Sequence, residues 1–260
     1  MERVLVVGAG NIGGAMARGL ATAGVEVLLY NRSAGRLAAF EGVDGIAMRT
    51  TALPEALSAR PSLILVCVEG CAVDAMLAAV APAADTAVIG SCAAASTLDN
   101  MAAALGERGR TARLLRVLPN IADTCGAGVN LIASRGLADG DLVHIEHLLT
   151  PTGVCVPIDE SLFGAAMSLS SCGLAYVFRY VRACTEAAVQ LGIDPATAVR
   201  LTAATLGGAA AMLADGAHPE VLVDRVTTPG GLTIKGLNAM EKAGFSAAVM
   251  AGIIASTPAR

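Results

Sequence analysis

Three glycines near the start of the chain have the spacing of a phosphate-binding turn. The run Gly8-Ala9-Gly10-Asn11-Ile12-Gly13 follows the apolar stretch Arg3–Val7 and precedes a helical stretch, Gly14–Ala23. The first glycine allows a tight turn, the second lets backbone approach a pyrophosphate, and the third permits close packing of helix on strand. Free N–H groups at the start of the helix favour an anion there. The spacing therefore predicts a dinucleotide site. Its contacting residues are Gly8, Gly10, Asn11, Ile12 and Gly13.

The residues after the second apolar run, Val25–Tyr30, indicate which dinucleotide would bind. NAD enzymes usually carry Asp or Glu at this point to bond the ribose 2′-hydroxyl, whereas this chain has Asn31-Arg32-Ser33. The Arg32 guanidinium can pair with a 2′-phosphate, and Asn31 and Ser33 can supply further donors. We therefore expect NADP(H) in preference to NAD(H). The alternative is that Arg32 only ends the strand in solvent.

The pattern of apolar runs places this motif in a larger α/β unit. The chain has 260 residues, which exceeds the usual size of one domain. Apolar runs alternate with helical segments in the first part, as in a mostly parallel sheet. The predicted strands are Arg3–Val7, Val25–Tyr30, Leu63–Val68 and Thr86–Ile89, with further candidates at Arg113–Val117, Val129–Ala133 and Val154–Ile158. We predict a Rossmann-type dinucleotide-binding domain over residues 1–158.

After Asp159 the periodicity becomes helical. Ala-rich segments over Phe163–Leu169, Ala175–Leu191 and Ala196–Ala214 predict an all-α domain over residues 159–260. These helices are apolar around most of their circumference, and about 100 residues cannot bury such helices alone. We therefore expect the second domain to form an intertwined homodimer, or a larger homo-oligomer built from dimers.

Composition excludes several other classes of function. The net charge is −4 and aromatic residues make up 3%, so neither a basic field nor stacking surfaces for nucleic acid are present. The seven cysteines form no C-x-x-C pair, so we expect reduced thiols and no metal site. The start of the chain leads directly into a strand, and no uncharged apolar span is evident. We expect a cytoplasmic protein without nucleic-acid or membrane partners.

Two later segments resemble the pyrroline-5-carboxylate reductase family. The segment Val226–Ile234 contains Thr-Thr-Pro-Gly-Gly-Leu-Thr, close to the T-[ST]-P-G-G-x-T loop of that family. The segment Leu169–Phe178 is similar to its S-G-S-G-P-A-Y helix motif. Residues 116–120, Arg-Val-Leu-Pro-Asn, match the family pattern R-x-M-P-N, and Asp159-Glu160 enters the helical part as in the family. The resemblance covers essentially the whole chain.

The resemblance implies NADPH-dependent reduction of pyrroline-5-carboxylate, a cyclic imine carboxylate, to proline. The glycine-rich loop leads into a helix beginning near Thr233, so its N–H groups and threonine hydroxyls can form a carboxylate site. Thr233 is the candidate proton relay and catalytic residue. The expected substrate-binding residues are Asn120, Ser171, Cys172, Thr228, Gly230, Gly231 and Leu232. The alternative is a loop shaped only for helix capping and turn geometry.

The chain departs from the family at several candidate site positions. The helix motif reads Ser170-Ser171-Cys172-Gly173-Leu174-Ala175-Tyr176, with three changes. The family's V-K-P after the fourth strand is replaced by Val68-Glu69-Gly70, and the fifth strand is followed by Cys92. We expect Val68, Glu69 and Cys92 to contact the cofactor.

These departures leave alternatives open for the substrate. Pyrroline-5-carboxylate is the leading candidate, another cyclic imine of specialised metabolism is the second, and a noncatalytic NADP-binding regulator is the third. The β-hydroxyacid dehydrogenases share the opening motif but use a helix lysine, and residues 160–200 contain no lysine.

Overall fold

The structure is a computed structural model that describes residues 2–258. It divides into two compact units, Met1–Ser171 and Cys172–Arg260. The division falls inside a long helix, Phe163–Gln190. The domain boundary that we predict at residues 158–159 stays a prediction.

The first unit is built on one eight-stranded sheet. Its strands are β1 Arg3–Val7, β2 Glu26–Tyr30, β3 Ile46–Thr50, β4 Leu63–Val66, β5 Val88–Ser91, β6 Leu114–Leu118, β7 Gly128–Arg135 and β8 Gly153–Pro157. They lie in the order β3-β2-β1-β4-β5-β6-β7-β8. All neighbouring pairs are parallel except β6 with β7, which run antiparallel. The expectation of a mostly parallel sheet is confirmed.

Strand β1 shows why this sheet is buried on both faces. Val4 and Val6 pack into one hydrophobic cluster, whereas Leu5 and Val7 pack into another. All four residues are fully buried. Continuous apolar runs of this kind form the central strands of parallel sheets, because helices cover both faces.

Six helices belong to the first unit before the long helix begins. They are α1 Asn11–Thr22, α2 Ala34–Leu37, α3 Leu53–Ser58, α4 Ala72–Val80, α5 Leu98–Ala104 and α6 Asp139–Leu149. The sequence patterns missed four of the elements in this unit, which are α2, α5, α6 and the edge strand β3. Strand β3 reads Ile-Ala-Met-Arg-Thr, and partly exposed alternation in five residues is a weak signal.

The sheet order reverses between β1 and β4. Strands β2 and β3 continue the sheet on one side of this point, and β5 and β6 continue it on the other. The loops that leave the carboxyl ends of β1 and β4 therefore diverge and leave a crevice between them. This crevice is where an open parallel sheet binds its ligand.

The second unit contains helices and no strand over its described residues, 172–258. Helix α7 spans Phe163–Gln190, and the remaining helices are α8 Pro195–Ala214, α9 Pro219–Val226, α10 Leu232–Lys242 and α11 Phe245–Ala255. Capping side chains explain where α8 and α9 begin. Asp194 Oδ1 accepts the Thr197 N–H at 3.0 Å at the start of α8, and His218 Nδ1 accepts the Glu220 N–H at 3.3 Å at the start of α9. The predicted fold class, an α/β Rossmann-type domain followed by an all-α domain, is confirmed.

Helix α7 corrects one sequence expectation. The segments Phe163–Leu169 and Ala175–Leu191 are one uninterrupted helix, without a break at residues 170–174. Gly173 lies in the interior of this helix. A glycine in a helix interior costs only about 1 kcal/mol, and Leu174, unlike the proline of the family motif, keeps its backbone N–H for the helix.

The helical unit has almost no interior within a single chain. Thr185 and Ala198 are the only buried residues in the described range 172–258, whereas Phe178 is 58% exposed and Leu191 is 81% exposed. Two helical stretches, Glu160–Gln190 and Pro195–Ala214, are long and apolar enough to cross a membrane by length and composition alone. Core helices of soluble proteins pass the same test. The exposed apolar surface requires a cover.

Candidate active site

A cavity of about 990 Å³ lies in the first unit, at the carboxyl ends of the central strands. It is lined by the loops after β1, β2, β4 and β5. The cavity is therefore at the reversal of strand order, and its volume is of the size that holds an extended organic ligand. All the predicted cofactor residues except Gly13 line it. They are Gly8, Gly10, Asn11, Ile12, Asn31, Arg32, Ser33, Val68, Glu69 and Cys92.

The turn between β1 and α1 has no room for side chains at two of its glycines. Gly8 has φ +110°, a conformation that favours glycine. A Cβ added to Gly13 would lie 1.9 Å from the Gly8 carbonyl oxygen, so this glycine serves the packing of α1 against the turn. Gly10 is the N-cap of α1 and provides no capping side chain. The first N–H groups of α1 are therefore free to bind an anion, which fits a dinucleotide pyrophosphate.

Asn31 joins the first turn to the end of β2. Its Oδ1 accepts the Ala9 N–H at 3.0 Å, and its Nδ2 donates to the Ser33 carbonyl oxygen at 2.9 Å and to Ser33 Oγ at 3.1 Å. The Gly8 N–H also donates to the Tyr30 carbonyl oxygen at 2.8 Å. These bonds hold the two loops in a fixed relation on the cavity wall.

Two exposed arginines give this part of the cavity a positive charge. Arg32 follows β2, and Arg36 lies in α2. A Cβ added to Gly10 would be 3.3 Å from Arg36 Nη1, so this guanidinium lies beside the glycine turn. Sequence reasoning missed Arg36. The sequence shows only a second arginine four positions after Arg32, and that spacing does not indicate a contact with the glycine turn.

Two cysteines lie side by side in the cavity wall. Cys67 follows β4, Cys92 follows β5, and both line the cavity. Cys67 Sγ donates to Cys92 Sγ at 3.3 Å. This hydrogen bond, together with burial and the nearby charge of Asp123, raises the pKa of the Cys92 thiol. Sequence reasoning selected Cys92 and did not select Cys67.

A buried ion pair supports the wall that contains Ala94. Arg116 Nη1 donates to Glu160 Oε1 at 3.0 Å, and Arg116 Nη2 donates to the Ala94 carbonyl oxygen at 2.5 Å. The guanidinium carbon also lies 4.4 Å from the centre of the Phe163 ring. Glu160 Oε1 accepts the Leu98 N–H at 2.8 Å as well. Because a buried charge needs partners, this cluster fixes the segment between β5 and α5.

Two predicted substrate residues lie at the end of the first unit. Asn120 is buried, its Nδ2 donates to the Ser170 carbonyl oxygen at 3.0 Å and its Oδ1 accepts the Ala122 N–H at 3.0 Å. Ser171 lines the cavity, and its buried hydroxyl has no hydrogen-bond partner within the described part of the chain. Asn120 therefore positions the start of α7, whereas the Ser171 hydroxyl is available to a ligand.

The remaining predicted site residues belong to the second unit. Cys172 is half-buried in α7, and Thr228, Gly230, Gly231, Leu232 and Thr233 lie at the start of α10. Gly230 has φ +72°, and the Gly231 N–H donates to the Thr228 carbonyl oxygen at 2.9 Å. Gly231 is the N-cap and offers no side chain, so the first N–H groups of α10 are uncapped. Thr233 is inside the helix rather than at its cap, and the expectation of a helix start near Thr233 is confirmed.

One further acidic group is strongly perturbed. Asp123 lies in the 3₁₀ turn Ile121–Cys125 and is buried. Burial raises the pKa of its carboxyl to about 7. Among the residues that the structure describes, no three His, Cys, Asp or Glu side chains are grouped to hold a metal ion.

The sheet topology, the glycine turn and the cationic cavity define a dinucleotide-binding protein with an appended helical unit. Residues 3–95 match the family model for NADP oxidoreductase, coenzyme F420-dependent, and residues 160–259 match the model for pyrroline-5-carboxylate reductase dimerisation. Pyrroline-5-carboxylate reductase 3 of Mus musculus is 34% identical over 98% of this chain and 94% of the relative. The chain belongs to the pyrroline-5-carboxylate reductase family.

Other similar relatives and solved structures are also pyrroline carboxylate reductases, over different shares of the chain. Pyrroline-5-carboxylate reductase of Methanosarcina acetivorans is 39% identical over 55% of this chain and 53% of the relative. The crystal structure of Plasmodium falciparum pyrroline carboxylate reductase with NADP bound has a TM-score of 0.82 at 22% identity, covering 99% of this chain and 97% of that chain. The reductase from Coxiella burnetii has a TM-score of 0.87 at 22% identity, covering 98% and 96%. At these identities the two structures support the fold.

Proposed function

We propose that this protein is an NADPH-dependent reductase that converts pyrroline-5-carboxylate to proline. The observation that carries the proposal is a dinucleotide cavity with Arg32 and Arg36 on its wall, in a chain that matches a pyrroline-5-carboxylate reductase along nearly its whole length. Neither arginine has an acidic partner among the ion pairs of the described residues. Both guanidinium groups are therefore available to phosphates.

The cofactor site fits NADPH better than NADH. The uncapped start of α1 binds the pyrophosphate, and Arg36 adds charge beside Gly10. Arg32 binds the 2′-phosphate, and Ser33 contributes a hydroxyl. Val68, Glu69 and Cys92 also line the cavity. When bound, NADPH supplies the hydride that reduces the C=N bond.

The proposed substrate-binding residues include a group in the second unit, around the start of α10. The uncapped N–H groups of α10, with the Thr228 hydroxyl, bind the substrate carboxylate. Thr233 donates a hydrogen bond to the imine nitrogen and relays its proton. A protonated imine is already electrophilic, so orientation of the substrate supplies much of the acceleration. Cys172 and Leu232 set the shape of the pocket.

Assembly and location follow from the same family. The helical unit exposes apolar side chains that a second copy would cover, and its match is to a dimerisation model. We propose a homodimer, or a larger assembly of dimers. The free thiols of all seven cysteines agree with a reducing compartment, and we propose the cytoplasm.

The second candidate is reduction of a different cyclic imine. It is favoured by Leu174 in place of the family proline, and by Leu232, which is 86% exposed at the start of α10 and enlarges a position that is small in the family motif. Both changes fall at the expected substrate site.

A substrate panel tests the proposal directly. NADPH consumption is measured with pyrroline-5-carboxylate and with piperideine carboxylates, at matched protein concentration and with NADH in parallel. Turnover that is fastest on pyrroline-5-carboxylate with NADPH supports the first candidate, and a preference for a six-membered ring supports the second. NADPH binding without turnover on any cyclic imine would replace both with a noncatalytic NADP-binding regulator.

A further inference from the structure

The cavity wall contains a pair of thiols that the proposed reaction does not use. Cys67 Sγ and Cys92 Sγ are 3.3 Å apart, and both residues line the cavity. The remaining cysteines include Cys71 and Cys125, which are exposed. A reagent that enters the cavity therefore reaches two thiols already in contact with each other.

The backbone holds this pair at a separation that suits a disulfide. Val66 pairs with Ser91 across the parallel strands β4 and β5, and each cysteine is the next residue along its strand. The Cys92 N–H donates to the Val66 carbonyl oxygen at 2.9 Å, which continues the ladder beyond the strand end. Neighbouring strands lie about 4.7–4.9 Å apart, inside the range of about 4.4–6.8 Å seen between Cα atoms of disulfides.

Both side chains point to the same face of the sheet. Cys67 and Cys92 pack in the hydrophobic cluster that also contains Ile12 and Met16 of α1. The contact is tight, because a Cβ added to Gly13 would lie 2.9 Å from Cys67 Cβ. Any movement of the Cys67 side chain is therefore transmitted to the glycine turn that forms the phosphate site.

We infer that Cys67 and Cys92 are a redox-modification site, at which a peroxide joins the two thiols in a disulfide within the dinucleotide cavity. The Cys67 sulfur, as the thiolate, attacks a peroxide oxygen, the O–O bond breaks, and the product is a sulfenic acid and, with the proton released by the thiol, one molecule of water or alcohol. Cys92 Sγ then attacks the sulfenic sulfur, an S–S bond forms, and the Cys92 proton leaves with the hydroxyl as water. The two sulfurs together lose two electrons, and the peroxide gains them.

The modification alters cofactor binding as well as the thiols. Closing the sulfur separation from 3.3 Å to about 2.05 Å draws the two side chains together beneath the glycine turn. We expect the dissociation constant for NADP⁺ to rise several-fold in the disulfide form and to return after reduction by dithiothreitol. This second readout rests on the proposed cofactor site, whereas disulfide formation does not.

Peptide mapping after hydrogen peroxide treatment tests the site. Free thiols are alkylated, and the protein is unfolded and cleaved after glutamate. Because Glu69 lies between the cysteines, the fragments 56–69 and 70–107 separate Cys67 from Cys92. A Cys71→Ala background removes the other cysteine of the second fragment. The expected product is a cross-link between these fragments that dithiothreitol reverses, with two of the six remaining thiols protected from alkylation.

Variants supply matched controls. Cys67→Ala and Cys92→Ala should each abolish the cross-link, whereas Cys125→Ala should leave it intact. Oxidation that stops at a sulfinic acid on Cys67, or cross-links that join other cysteines, would overturn the inference. The wild-type cross-link map decides the question even where a cavity variant folds poorly. A cross-link that forms at the same rate with saturating NADP⁺ would contradict the proposed cofactor site and leave the disulfide inference standing.

Discussion

Arg36 Nη1 lies beside Gly10, at 3.3 Å from the position that a Cβ on that glycine would occupy. The guanidinium is thus at the start of α1, where the free N–H groups already favour an anion. Arg32 stands at the end of β2, on the side expected to face the ribose. The two arginines are therefore placed to contact different phosphates.

Arg32→Ala and Arg36→Ala should have different effects on cofactor choice. Loss of Arg32 should weaken NADPH binding by about tenfold to a hundredfold, the effect of removing a hydrogen bond to a charged group, and should leave NADH binding nearly unchanged. Loss of Arg36 should weaken both cofactors, because both carry the pyrophosphate. Titration calorimetry with each cofactor measures the difference.

Arg49→Ala is the matched control for this pair. Arg49 is exposed on the neighbouring strand β3 and does not line the cavity, so its loss should leave both affinities unchanged. Equal affinity of the unmodified protein for NADPH and NADH would refute the assignment of Arg32 to the 2′-phosphate.

Thr233→Ala should depress imine reduction without affecting the cofactor. The loss of one hydrogen bond to a charged group corresponds to about tenfold to a hundredfold in kcat/KM. Thr233→Ser should retain most activity because it keeps the hydroxyl. Since Gly231 rather than Thr233 is the N-cap of α10, neither variant should lower Tm appreciably. Steady-state kinetics measured beside thermal melting separates the roles, and a destabilised Thr233→Ala with unchanged kcat/KM would remove Thr233 from the catalytic residues.

Gly13→Ala should destabilise the first unit. The new methyl would lie 1.9 Å from the Gly8 carbonyl oxygen, so α1 must move away from the turn. Overpacking of this kind costs about 1–3 kcal/mol, and the same movement should reduce NADPH affinity. Gly35→Ala is the control, because an added Cβ there meets nothing within 4 Å. Chemical denaturation gives the free energies of unfolding, and equal values for the two variants would contradict the packing argument.

Asp123 should make stability depend on pH in an unusual direction for a carboxyl group. Its pKa is about 7 in the folded protein, above the ordinary value of 3.8. Between these values the folded state holds a proton that the unfolded chain has lost, so raising the pH removes stability. Asp123→Asn, which cannot ionise, should lessen the decline between about pH 4 and about pH 7. Melting curves across that interval measure it, and parallel pH profiles for the two proteins would exclude a raised pKa.

Phe178→Glu should disrupt assembly. Phe178 is 58% exposed on α7, in a unit with almost no interior of its own, so a charge placed in the interface between copies would be buried without a partner. We expect a shift from dimer to monomer or aggregate in light scattering. Val143→Glu in α6 is the control, since Val143 is 65% exposed in the first unit. A stable, monodisperse monomer of the unmodified protein at low concentration would contradict the proposed assembly.

The central strands could be predicted from sequence, and the peripheral elements could not. Strand β1 was predicted with its observed bounds, Arg3–Val7, because a parallel strand that is buried on both faces shows a continuous apolar run, here residues 4–7. Helix α6, Asp139–Leu149, carries five charged or histidine side chains and lacks such a continuous run. Strand β3 is held mainly by pairing with β2, and pairing leaves no local mark in the sequence.

Some residues of the candidate site could be identified from the sequence, and others could not. The glycines and Arg32 could be identified because their positions along the chain, relative to the first two strands, predict contacts with a dinucleotide. Arg36 and Cys67 could not, since their roles come from the folded chain: one lies beside Gly10, and the other meets a thiol on the neighbouring strand. Whether the Thr228–Thr233 loop holds a substrate carboxylate stays a prediction.

The hydrogen bonds of Asn31 bear on how cofactor preference could evolve. Its side-chain amide forms hydrogen bonds with Ala9 and Ser33. Asn31 therefore links two loops, and its amide is not free to bind the cofactor. Mutations at Asn31 would disturb the phosphate turn and the ribose end together. Arg32 forms no such hydrogen bond among the described residues. A substitution of Arg32 can therefore alter the choice of dinucleotide without disturbing the glycine turn. Asn31 thus belongs to the part of the site whose structure must be kept, whereas Arg32 belongs to the part in which single substitutions can change cofactor preference.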